Sequence, residues 1–319
     1  MDYGRIFSRA WEITWRWKIL WVLGFLVALG RAGTTGNGNV TYTIDSGDPA
    51  PAWLRGMGGM DWGAMGAVIL GLVCLGLVIA IIIWIISIIA RGGLVAGVNQ
   101  VENEGSTTLG RAWLVGQRRF WTIFGIGVLA ALPMIIIGLI AAAMVGATIF
   151  FGVSAGEDFW SAFGPLWAGL ALCLVPLTCV AAVVAIVFGL IRIYAERAAI
   201  IEGLGWIDAF KRGWTLLKTN VGPTIVVGAV TVVIWIVFIA LVAVVVTVIT
   251  VPFALFFGNS EPGLWFALVL CGSGLFALIA GALAGSIVEV FTSASWTELY
   301  LSLSGRSPAT PAALPVEIS

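Results

Sequence analysis

The chain has 319 residues, of which 61% are hydrophobic and only 10% charged, against about 25% charged in a soluble globular protein. Its 16 basic and 16 acidic residues cancel and give no pull toward nucleic acid, and it contains no histidine, which removes the commonest metal ligand and the side chain that titrates near neutrality. A mean hydropathy of +1.09 places most of it in a bilayer.

Residues 4 to 17 spell an interfacial helix. At 100° per residue Arg5, Arg9, Glu12 and Arg16 fall in a stripe about 60° wide, while Ile6, Phe7, Ala10, Trp11, Ile13 and Trp17 cover the rest. A narrow charged stripe on a Trp-rich helix lies flat on a membrane surface. Residues 19 to 30 then supply only twelve apolar residues before Arg31, short of the roughly 20 that cross a bilayer. Either Trp15 to Lys18 add length, with Lys18 and Arg31 snorkelling outward, or the span is shallow. A secretory signal is the rival reading, with Ala28 and Gly30 placed like a cleavage site. A basic, Trp-rich approach that is copied twice downstream favours structure.

Residues 32 to 62 form a Gly, Thr, Asn, Asp and Pro-rich connection, an exposed loop in which Asp45 and Asp48 lack the spacing of a calcium loop. Residues 63 to 90 are the second span, closed by Arg91, and a polar run from Asn99 to Thr108 follows. Arg111 to Phe120 is a second basic approach. Residues 121 to 151 cross with Pro133 inside, and residues 164 to 191 return with Pro176 inside. In the third approach Ile207, Phe210, Trp214 and Leu217 make one helix face. Asp208, Lys211, Arg212, Thr215 and Lys218 make the other, with Asp208 and Arg212 at i,i+4. An apolar run from Pro223 to Phe257 and a last span from Leu264 to Val288 complete the pattern.

That pattern repeats. Arg9-Ala10-Trp11, Arg111-Ala112-Trp113 and Arg212-Gly213-Trp214 place their tryptophans 102 and 101 residues apart, a period to be recognised before any other reading. Phe150-Phe151-Gly152 recurs as Phe256-Phe257-Gly258, and Leu166-Trp167 with Cys173 recurs as Leu264-Trp265 with Cys271. The four cysteines read as small packing residues rather than disulfides or ligands. Gly281 with Gly285, and Gly138, Ala142 and Gly146, read as helix-packing faces.

Fourteen of the 16 Lys and Arg fall on one side of these spans, leaving Arg31 and Arg55 on the other. The positive-inside rule then puts both termini in the cytoplasm. The expected fold is an all-α integral protein of the cell membrane. Six transmembrane helices form three parallel two-helix repeats, each preceded by a cytoplasmic amphipathic interfacial helix. As one membrane domain, the chain divides into repeats 1–105, 106–205 and 206–305, with a flexible tail at 306–319.

The search for chemistry gives no phosphate-binding glycine loop, no nucleophile elbow and no metal-ligand spacing. Acidic residues sit in loops or at span ends, away from the mid-span depth of proton relays. No catalytic residue, cofactor or metal is expected. Arg9, Trp11, Arg111, Trp113, Arg212 and Trp214 are the candidates for contact with anionic lipid headgroups on the cytoplasmic face. Arg91 and Arg192, 101 residues apart at the ends of the second and fourth spans, are expected to pair with Glu289 at the end of the sixth.

The basic Trp-rich entry helix, the long Val/Ile/Ala spans and the closing Ser295-Trp296-Thr297-Glu298-Leu299-Tyr300-Leu301 resemble uncharacterised bacterial polytopic proteins. They are similar in layout to the membrane domain fused to glycerophosphodiester phosphodiesterases. The resemblance implies a multi-pass bacterial membrane protein and supplies no catalytic residue. Mitochondrial carriers share the three-by-two geometry, but their Pro-x-Asp/Glu-x-x-Lys/Arg signature is missing from the odd spans. Two functions follow as expectations: a non-enzymatic protein that organises lipid or partners through its basic helices, or a transporter or channel for a small or amphipathic solute along a pseudo-threefold axis.

Overall fold

A computed structural model describes residues 2–35, 62–154, 159–257 and 264–305. Among these every element is helical: α1 (Tyr3–Arg16), α2 (Ile19–Thr35), α3 (Trp62–Glu104), α4 (Leu109–Arg118), α5 (Phe120–Ser154), α6 (Phe159–Ile201), α7 (Trp206–Thr219), α8 (Val221–Phe257) and α9 (Leu264–Leu303). The recurring turn at Gly258, the connection at 36–61 and the tail at 306–319 lie outside the described residues.

Local chemistry sets the ends. Asp2 caps α1 by accepting from the Arg5 N–H at 3.2 Å. The chain then turns through 99° into α2, and the Trp21 indole N–H donates to the Thr14 carbonyl at 2.8 Å, taking up one of the acceptors a helix C-terminus leaves bare. Three long helices, α3, α6 and α9, are each followed within two residues by a glycine in the left-handed region: Gly105 (φ 66°), Gly203 (φ 74°) and Gly305 (φ 70°). A residue with a Cβ is strained there, so glycine stops the helix.

These stops come later than the apolar pattern implies. α3 runs on past Arg91 to Glu104, α6 past Arg192 to Ile201, and α9 past Val288 to Leu303. Asn99 to Glu104, expected as part of a connection, is therefore helical. The extensions are the parts that pack.

The chain divides into two compact units, Met1–Arg118 with Gly222–Ser319, and Arg119–Val221. In the first, α2 packs on α3 and α9, α1 lies on α9, and α4 lies on α3. Ala10, Ile13, Leu20, Leu23, Val27, Leu94, Val98, Ala112, Val290 and Ala294 form its core, with Trp17, Trp113 and Phe291 against it. Close approach is bought by small residues: a Cβ on Gly24 would stand 2.6 Å from the Ser286 carbonyl oxygen, and one on Gly97 would meet Leu20 at 2.7 Å. In the second unit α6 packs against both α5 and α7, burying Ile123, Ile126, Ile191, Tyr194, Ala195, Ala198 and Ala209.

Away from these cores the long helices are apolar and uncovered. From Leu70 to Ile85 nearly every residue of α3 is exposed on every side, and α8 is exposed along most of its described length. A helix that is apolar all round needs an apolar surrounding. Five helices are long and apolar enough to cross a membrane, six if the bent α1–α2 pair counts as one span. That is the make-up of a multi-pass membrane protein. The small-residue faces expected from the sequence behave unequally: Gly285 touches Phe238 and Ala28, but Gly138, Gly146 and Gly281 face open space. Cys74, Cys173 and Cys179, expected as packing residues, are free and exposed, because they lie on the uncovered stretches; the Cys271 side chain is outside the described set.

Candidate functional site

The three short helices carry the candidate residues, and in each the middle residue of the Arg-small-Trp triplet is buried. Ala10 and Ala112 are fully buried, and Gly213 is on the buried face of α7. The Ala112 carbonyl oxygen would stand 3.1 Å from a Cβ on Gly93 of α3. One turn on, Gly116 lies directly on the Ile89 carbonyl. A Cβ on Gly213 would meet the Ile191 carbonyl oxygen of α6 at 2.7 Å. These positions are small because a long helix occupies the space a larger side chain would need.

The arginine before it is held by protein carboxylate in all three. Arg9 bonds Glu102 of α3 and Glu12 of its own helix, both at 2.8 Å. Arg111 reaches Glu104 at 2.7 Å. Arg212 lies 3.5 Å from Glu202, an ion pair without an aligned hydrogen bond at its Nε. The expected i,i+4 partner of Arg212, Asp208, instead stands 3.9 Å from Lys211. Placement at the end of α3, for Glu102 and Glu104, and just past the end of α6, for Glu202, explains why the sequence alone does not mark them as partners: they read as connection residues.

The tryptophan after it faces outward or lies at the edge. Trp11 is 57% exposed and meets Trp15 edge-on at 5.4 Å, which meets Trp21 in the same way at 5.4 Å. Trp214 is 41% exposed, with the Lys218 ammonium 4.6 Å over its ring. Trp113 is half-buried against the core. Indoles in such positions suit the headgroup layer, with an apolar ring and a polar edge.

The charges at span ends are distributed as follows. Glu289 is buried on α9 and paired with Arg31 of α2 at 2.9 Å, and the Arg31 guanidinium also lies 5.3 Å over the Trp235 ring. The charge count puts Arg31 on the opposite side of the membrane from Glu289, yet the two are in contact. Arg192 bonds Glu196 on its own helix at 2.8 Å. Arg91 is half-buried on α3. Among the described residues no group of three or more Cys, Asp or Glu side chains is arranged to hold a metal ion.

A family model matches residues 12–300. The chain belongs to DUF7544, a family of unknown function. No curated protein and no solved structure matches it, so DUF7544 membership is the whole of what relatives contribute. Nothing in these comparisons links DUF7544 to the phosphodiesterase-fused membrane domains that the layout resembles.

Proposed function

We propose that this chain is a non-enzymatic protein of the cell membrane, built from three copies of a short interfacial helix followed by two long helices, that gathers anionic lipid or partner proteins at the cytoplasmic face. The observation that supports the reading is the repeated burial of Ala10, Ala112 and Gly213, each flanked by a carboxylate-held arginine and a tryptophan at or near the surface. The left-handed glycines at 105, 203 and 305 recur at nearly the same interval. Held in this way, the arginines fix the helices in place while their exposed edges and the indoles meet headgroups, at about 1 kcal/mol per basic residue near an anionic surface.

The test is the lipid that stays with the protein. Purified into nanodiscs of mixed phosphatidylcholine and phosphatidylglycerol, the wild type is expected to enrich the anionic lipid, and the Trp11→Ala, Trp113→Ala, Trp214→Ala triple variant to lose that enrichment. Equal lipid in both would overturn the reading, and solute uptake by wild-type proteoliposomes would move the protein to the transporter class. Orientation is tested separately: in intact cells a Ser46→Cys variant should react with an impermeant thiol reagent and a Ser106→Cys variant should not. Ser106 is exposed, whereas the neighbouring Thr107 is buried and bonded to Gln100 at 2.9 Å, so silence at Ser106 reports the membrane and not burial.

A further inference from the structure

Two glutamates meet where α1 crosses α3 and α9, beyond the exposed apolar stretches of both long helices. The Glu102 side chain is 2% exposed and Glu298 is 6% exposed; burial first, and then the Glu102 carboxylate beside it, push the Glu298 carboxyl up to about 8. The Arg9 guanidinium donates to Glu102 Oε1 at 2.8 Å and is shared with Glu12. Arg5 attracts Glu298 from a greater distance, also from α1. The Oε1 atom of Glu298 is buried with no hydrogen-bond partner. Among the described residues no other element brings charge to this point: Arg31 of α2 is on Glu289, Glu104 of α3 is on Arg111 of α4, and α8 carries no ionisable Asp, Glu, Lys or Arg at all.

Two bare carboxylates in contact present acceptors to each other with no donor between them, and burial removes the water that would otherwise screen the repulsion. One proton resolves this. It turns the contact into a carboxylic acid–carboxylate hydrogen bond and leaves a single negative charge opposite Arg9, the arrangement seen wherever two carboxyls share a site. We propose that Glu102 and Glu298 together bind one proton, and that this proton holds the interfacial helix α1 in its docked position. When the proton leaves, a second charge is buried away from water; Arg9 and Arg5 of α1 attract it, but burial is the larger effect, and that cost is relieved only as α1 lifts and admits water. Since an undocked glutamate titrates in its ordinary range near pH 4.3 and the docked pair retains its proton above that range, docking strengthens as pH falls and weakens as it rises. This inference does not depend on the lipid-gathering reading.

Two measurements on the full-length protein in nanodiscs test it, each from about pH 5 to about pH 9, the range into which buried carboxyls are displaced. Infrared spectroscopy of the wild type should show one carboxylic-acid C=O band that survives above the ordinary glutamate range and is lost on alkalinisation; Glu298→Gln should lack it. Spin labels at Ser8→Cys and Asn103→Cys, both exposed positions, with the four native cysteines replaced by serine, should report a short α1–α3 distance at low pH and a longer, broader one at high pH. In Glu298→Gln, which keeps a neutral partner for Glu102, the distance should stay short throughout. The proposal is overturned if no such band exists, if Glu298→Gln keeps the wild-type pH response, or if α1 closes further at high pH because Arg5 moves in. Should Glu298→Gln not fold, Glu102→Gln is scored in its place for loss of the band and of the pH response.

Discussion

Helix α3 is two helices in its surroundings. From Leu70 to Ile85 it is uncovered on all sides, with Leu75 57% exposed, while from Ala90 to Val101 it is enclosed, with Leu94 1% exposed. The uncovered half is the more aliphatic, with 11 Leu, Ile and Val among its 16 residues against 4 among the 12 of the enclosed half; it is residue size that favours the enclosed one. The enclosed half carries Gly92, Gly93, Ala96 and Gly97, which let α2 and α4 approach its backbone, and the uncovered half offers Leu, Ile and Val on every face. Hydrophobicity alone does not bring helices together when the surrounding solvent is equally apolar, so small residues and fixed charges decide where this protein packs.

That difference is broken most strongly by deletion in the enclosed half. Leu94→Ala is expected to cost about 2–5 kcal/mol, read as a fall in thermal unfolding temperature in detergent, whereas Leu75→Ala should stay within about 0.5 kcal/mol of wild type. An equal loss at both sites would mean that the uncovered stretch is packed against something. Adding volume comes next. Gly213→Ala forces a methyl group onto the Ile191 carbonyl and should cost about 1–3 kcal/mol, but Gly71→Ala, with nothing within 4 Å, should be neutral or gain the roughly 0.5–1 kcal/mol that alanine offers over glycine inside a helix. The smallest contrast is ionic. Arg31→Gln removes the partner of a Glu289 side chain that is 10% exposed and should cost about 1 kcal/mol after allowance for the half-exposed guanidinium. Arg16→Gln, at 3.4 Å from an exposed Glu12, should be near the limit of measurement, at about 0.3 kcal/mol. A cycle pairing Arg31→Gln with Glu289→Gln checks the first of these by departure from additivity.

The helical class, the multi-pass make-up and the extent of the first short helix were legible because charge and apolar period are written directly in the residues: a helix over 4 to 17 was expected and Tyr3–Arg16 is found. What escaped the sequence is the continuation of α3, α6 and α9 beyond their apolar stretches. A bilayer reading ends a span at the first charge, here Arg91 and Arg192, although Leu94, Val98 and Val101 keep helical spacing past it and Glu104-Gly105 and Glu202-Gly203 mark the real stops. The candidate arginines were legible as a pattern but their partners were not, since Glu102, Glu104 and Glu202 follow the apolar stretches in polar sequence that reads as connection. The middle residue of each triplet, buried in all three, carries no chemistry and so draws no notice.

The corner between α1 and α2 is sealed by a bond that spans seven residues, Trp21 to Thr14, so it is complete as soon as that short stretch of chain exists. The bond that secures α2 to α9, Arg31 to Glu289, spans 258 residues, and Phe7 and Trp11 likewise wait for Phe291. Contacts of such separation form late, because the intervening chain must first be gathered. In order of synthesis, then, α1 and α2 have their shape early and their neighbours on α9 late.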